Sequence, residues 1–154
     1  MNKRGIGPLL ATILLIVLAV AVGVVVMNFG RAQIESSAKC AVDIGLTIVE
    51  LNQEEQLCYE KLNNQIYFIA ENGPNVPLTG LRLRVIGSEA IFVRDLEGSD
   101  VEKAGTTMQY VDYDYTTYGD IKQFKLTPKV RLYDEEIICS EQSIEMENVR
   151  ECKK

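Results

Sequence analysis

Any chemistry in this sequence falls mainly to cysteine, tyrosine and carboxylate side chains, because its 154 residues contain no histidine. Histidine is the commonest general base near neutral pH and a preferred zinc ligand. Without it no nucleophile–base pair can be named along the chain, so an enzyme is not expected and neither is a cofactor. The cysteines are Cys40, Cys58, Cys139 and Cys152, an even number with no CxxC spacing. A zinc site would need all four thiolates at intervals unlike those of zinc ligands, so no metal site is expected. Disulfides in an oxidising compartment are the expectation instead. Pairing Cys40–Cys58 and Cys139–Cys152 closes two local loops and is the simplest arrangement; Cys40–Cys139 with Cys58–Cys152 comes next. Each bridge adds roughly 2–4 kcal/mol.

The stretch MQYVDYDYTTYGD, residues 108–120, holds Tyr110, Tyr113, Tyr115 and Tyr118, four of the seven tyrosines, with three aspartates. Tyrosine is amphipathic and common at recognition surfaces, so these four are candidates for contact with a neighbouring subunit or a host surface. The spacing of Asp112, Asp114 and Asp120 matches no EF-hand. The plainer reading is a hairpin of alternating exposure, with Tyr110 and Tyr113 on opposite faces.

Two kinds of element must position these residues. From Leu9 to Met27 every residue is apolar or glycine except Thr12, and no charge occurs between Arg4 and Arg31. About 20 such residues cross a bilayer core as a helix, and a helix apolar all round suits lipid or a bundle interior rather than a soluble surface. Lys3 and Arg4 before the run place the N-terminus in the cytoplasm and the remainder outside. Pro8 suits the first turn of a helix beginning near Ile6 or Gly7. A secretory signal has a shorter apolar core and a small-x-small site after it; Asn28-Phe29-Gly30-Arg31 is a poor match.

Beyond Cys40 the pattern turns to period two, as in half-buried antiparallel strands. Val42, Ile44, Leu46 and Ile48 fall on one side of a run, and Leu81, Leu83 and Val85 alternate with Arg82 and Arg84. Further strands are expected at 56–62, 65–71, 90–96, 107–113, 121–127, 130–133, 136–140 and 143–150. Short strands at roughly ten-residue spacing predict a β-sandwich. Residues 37–154 carry 13 basic and 21 acidic side chains. This acidic exterior repels phosphate backbones, so nucleic acid is not expected as a partner.

The order KRG, then IGPLLATILLIVLAVAVGVVV, resembles the N-terminus of archaeal type IV pilins over about 30 residues. The resemblance implies a class III signal peptide: a leader, 1–5, marked by Lys3 and Arg4 and cleaved between Gly5 and Ile6 by a prepilin peptidase. It implies that segment 6–36 waits in the membrane and then forms a helical filament core through Leu9, Leu10, Ile13, Leu14 and Ile16, continued by Val17, Val20, Val24 and Met27. The partners implied are the membrane, the pilus assembly machinery and identical subunits, with adhesion or attachment as the role and 37–154 as the extracellular head. Bacterial pilins usually have glutamate at the fifth mature position; here it is Leu10, which favours the archaeal branch. The competing reading is an uncleaved, single-pass anchored β-sandwich that binds a surface partner.

Overall fold

The computed structural model describes residues 6–132 and 134–153, with the backbone alone at Ile6, Pro8, Leu9 and 31–39. Lys3, Arg4 and Gly5 of the expected leader lie outside the described residues. The chain divides into two units, Met1–Lys39 and Cys40–Lys154.

The first unit is one helix, α1, Ile6–Lys39, of 34 residues, about 50 Å at 1.5 Å per residue. Within it Leu10–Gly30 is apolar and, at 21 residues, long enough to cross a membrane. Gly23 does not interrupt it. Pro8 falls in the first turn, where its missing N–H leaves no hydrogen bond unmade.

The second unit is all-β apart from two short helical turns. In chain order its elements are β1 (Thr47–Ile48), β2 (Glu50–Leu51), β3 (Glu54–Glu55), β4 (Leu57–Glu60), β5 (Gln65–Glu71), β6 (Gly80–Gly87), β7 (Ile91–Leu96) and β8 (Thr106–Asp112). There follow α2 (Tyr115–Tyr118), β9 (Ile121–Leu132), β10 (Glu135–Ile138), a 3-10 turn (Ser140–Gln142), β11 (Ile144–Glu147) and β12 (Arg150–Glu151). One sheet is built on β5, which pairs antiparallel with β8 along one edge and with β4 and β1 along the other. β12 then joins β4 in parallel. The second sheet is built on β9, with β6 and then β7 on one side and β10 and β11 on the other.

Alternation decides which face is buried. Ile66, Phe68 and Ala70 of β5, Leu81, Leu83 and Val85 of β6, and Phe124, Leu126 and Val130 of β9 form one core. Phe68 meets Phe124 edge-on between the sheets, with ring centroids 5.3 Å apart. Burying each such side chain contributes roughly 1.5–3 kcal/mol. The expected β-sandwich is thus the observed architecture.

Both central strands have a partner strand that is interrupted. Along β5, β1 and β4 are two halves of one strand. Between them the chain leaves at Val49 and returns at Gln56, both bonded to Ile69, after the β2–β3 hairpin. Asn52 and Gln53 both have positive φ at its tip, as a two-residue hairpin turn of the primed type needs. Along β9, β10 and β11 are separated by the 3-10 turn, and the sequence shows why. Pro128 has no N–H, so the ladder on that edge loses a donor. The chain departs there after Cys139 N–H has bonded the Pro128 carbonyl at 3.0 Å.

Three expectations need correction. The strand expected to stop at Thr127 runs through Pro128, because the lost donor is absorbed by the gap in the neighbouring strand. The run from Val42 is not strand until Thr47. Gly45, at φ 68°, bends it, and Val42 is exposed while Ile44 and Leu46 are buried. The stretch 108–120 is not a hairpin: β8 ends in the first sheet, α2 turns the chain, and β9 begins in the second.

Candidate functional site

Three places in the molecule are candidates for function: the surface of α1, the two disulfide-bonded straps, and the tyrosine-rich segment. On α1, Leu10, Ile13, Leu14, Ile16, Val17, Val20, Val24 and Met27 are all exposed. Exposed side chains surround the helix rather than forming one stripe, unlike a helix that packs one face on a core. Leu9 lies in the helix, but its side chain is outside the description, as is that of Ile6.

The disulfides are Cys40–Cys139, with Cα atoms 5.5 Å apart, and Cys58–Cys152, at 4.9 Å. The simplest pairing, of near neighbours in sequence, is therefore wrong, and the bridges close loops of 99 and 94 residues. Sheet register is the reason. The gap opposite Pro128 holds Cys139, whereas the parallel pairing of β12 with β4 brings Cys152 N–H to within 3.0 Å of the Tyr59 carbonyl, beside Cys58.

Around Cys40 the chain is held as a strap. Gln142, in the 3-10 turn, donates through Nε2 to the carbonyls of Cys40 and Val42 at 2.5 and 2.7 Å, and its Oε1 accepts from Ile44 N–H at 2.6 Å. One side chain thereby replaces the strand partner that residues 40–44 lack. From the other side Gly73 N–H bonds the Ile44 carbonyl at 3.0 Å. A Cβ on Gly73 would stand 2.2 Å from that oxygen, so only glycine permits the approach. Buried Asn72 fixes this turn by donating to the carbonyls of Val76 and Glu102 at 2.8 and 3.0 Å. None of these contacts was legible beforehand, since Gln142 and Asn72 carry no motif.

The C-terminal strap is held by charge. Glu54 meets Arg150 at 2.6 Å and also pairs with Lys153. These two cations, Lys153 foremost, hold the Glu54 carboxyl down at about 2. Lys61 pairs with Glu151 at 2.9 Å. All are exposed and individually weak; the covalent bridge is the firm part.

The tyrosine segment divides. Tyr113 is buried, against the expectation of a recognition surface: its hydroxyl donates to the Gly119 carbonyl at 3.0 Å, and desolvation pushes its pKa up to about 12. Tyr115 stacks on Tyr59, while Tyr118 packs against Phe92 and Tyr113. Asp114 caps α2 by accepting from Thr116 N–H at 3.0 Å and from Thr117 Oγ1 at 2.5 Å. That role consumes the carboxylate most central to the acidic cluster. Only Tyr110 projects outward, paired across the sheet with Tyr67 of β5. The alternation of QIYFIAE could have pointed to Tyr67, which faces the same way as Gln65 and Ile69.

No group of three metal-ligating side chains occurs among the described residues. Comparison with family models, with curated proteins and with solved structures finds no match to this chain.

Proposed function

We propose that this chain is the structural subunit of an extracellular filament of the archaeal type IV pilus kind, used for adhesion or attachment. The carrying observation is α1: it has an apolar surface on every side, contains a 21-residue stretch long enough to cross a membrane, and continues to 34 residues. Such a surface is stable in lipid before assembly and among identical helices afterwards. The disulfide-bonded β domain supports an extracellular place, because thiols stay reduced in the cytosol. In this reading the chain first sits N-in across the membrane. Prepilin peptidase then cuts Gly5–Ile6, recognising Lys3 and Arg4, and the helices bundle with the heads outside. Repeating one heterologous contact yields an open helical polymer.

The test is the N-terminus of the chain recovered from cells that possess the peptidase, together with electron microscopy of their surface. A chain beginning at Ile6 within filaments is the expected result. An intact Met1–Gly5 on a chain confined to the membrane fraction overturns the reading in favour of a single-pass anchored binding domain.

A further inference from the structure

The two solvent-facing sheet surfaces differ in kind. On the first sheet Tyr67 lies opposite Tyr110 and Ile69 opposite Met108. Met108 is 54% exposed and Tyr110 60%, and the two tyrosine rings lie 5.0 Å apart. Glu60, Glu71 and Asp112 border this patch, with no ion-pair partner among the described residues. On the second sheet Ile86 lies opposite Ile91 and Arg84 opposite Val93. Ile91 is 53% exposed and Val93 56%. Several other cations of this face are engaged: Arg82 with Asp95, Lys125 with Glu145, and Lys129 with Asp95 and Glu136. Arg131, exposed on β9 opposite Glu136, has no ion-pair partner among the described residues. Arg84 is exposed and has no ion-pair partner among the described residues.

The faces complement one another. One offers aromatic and thioether surface bordered by Glu60, Glu71 and Asp112, with the Glu54–Arg150–Lys153 group along one side. The other offers the Arg84 guanidinium, without an ion pair, beside exposed Ile91 and Val93. A guanidinium over a tyrosine ring gains cation–π attraction, and bordering carboxylates reinforce it. Strand addition at the sheet edges is a poorer route to association. Arg94 of β7 and Gln109 of β8 occupy inward-facing positions on these edge strands, and the Gln109 amide is bonded to Thr107 at 3.0 Å, which are devices that blunt an edge.

We propose that the outer face of the first sheet, at Tyr67, Tyr110 and Met108, binds the outer face of the second sheet, at Arg84, Ile91 and Val93, of another copy of this chain. The two patches sit on opposite sides of one sandwich, so no copy satisfies its own, and the contact propagates front to back. It deepens the filament reading and rests on it for bringing copies into register.

The experiment uses the full chain in detergent micelles, which sheathe α1, followed by sedimentation across a concentration series. Wild type is expected to form open-ended oligomers. Arg84→Glu alone and Tyr110→Asp alone are each expected to weaken association by about tenfold or more and stay monomeric. Mixed one to one, they are expected to give dimers and nothing larger, because each retains the face that the other lacks. Val93→Asp and Met108→Asp repeat the test from neighbouring exposed positions. Single variants that associate like wild type, a mixture that stays monomeric, or a monomeric wild type overturns the contact. Cells separate the two ideas: filaments kept by both face variants overturn the contact alone, and a wild type without filaments overturns the filament reading.

Discussion

In α1 the side chains of Leu14, Leu15, Leu18 and Met27 are exposed, while in β5 those of Ile66, Phe68 and Ala70 are closed off from solvent. Both regions are rich in aliphatic residues, yet only the β domain buries its own. Its sheets supply each other's apolar partner, and its loops are tied by two bridges and by Gln142. The helix satisfies its backbone internally and leaves the apolar side chains named above exposed. Hydrogen bonding and hydrophobic burial are therefore separable: one region completes both within the chain, and the other completes only the first.

The sharpest way to break this comparison is a charge in α1. Ile16→Asp places a carboxylate at the centre of the apolar run, at a cost of about 2.5–3.5 kcal/mol in a membrane. Filaments should be abolished in electron micrographs while the β domain keeps its disulfides and melting profile; normal filaments would show that this surface is not the core. Next in size is the paired change Cys40→Ser with Cys139→Ser, which should lower stability by about 2–5 kcal/mol. Thermal unfolding under oxidising conditions reads it, and an unchanged melting temperature would mean that Gln142 alone suffices for the strap.

Gln142→Ala removes three hydrogen bonds from segment 40–44 and should cost about 1–3 kcal/mol. Amide exchange at Ile44 should accelerate by far more than that at Phe68. Equal acceleration would show global unfolding rather than release of a strap. Smallest is Glu54. Its folded pKa, about 2, is below its ordinary value, so the stability it contributes is present above the unfolded carboxylate pKa of about 4.3 and is lost as pH falls toward 2. Glu54→Gln should flatten the loss of C-terminal strap protection across that window and change little at neutral pH. A variant with the wild-type acid profile would assign the effect to other carboxylates.

Much of the fold was legible because it repeats locally. The period-two patterns of GLRLRVIG and QIYFIAE show which residues face inward, and the unbroken apolar run shows a helix of spanning length. The interruptions were not. The hairpin at 50–55 and the gap opposite Pro128 depend on which strands become neighbours, and proline reads as a strand end when its partner is unknown. The tyrosine segment misled for a related reason. Spacing puts Tyr110 and Tyr113 on opposite faces, as they are, but it does not reveal that Asp114 turns the chain from one sheet to the other, or that Tyr113 is the one buried.

By itself the amino-acid sequence determined what short-range regularity can express: an apolar helix, amphipathic strands, an even set of cysteines and the absence of histidine. The tertiary structure alone decided the cysteine pairing, the strap held by Gln142 and the composition of each outer sheet face. Those depend on contacts between residues up to about a hundred positions apart, such as Gln142 with Cys40. Such contacts leave no periodic trace, because they are selected by the packing of whole sheets and not by the preferences of neighbouring residues.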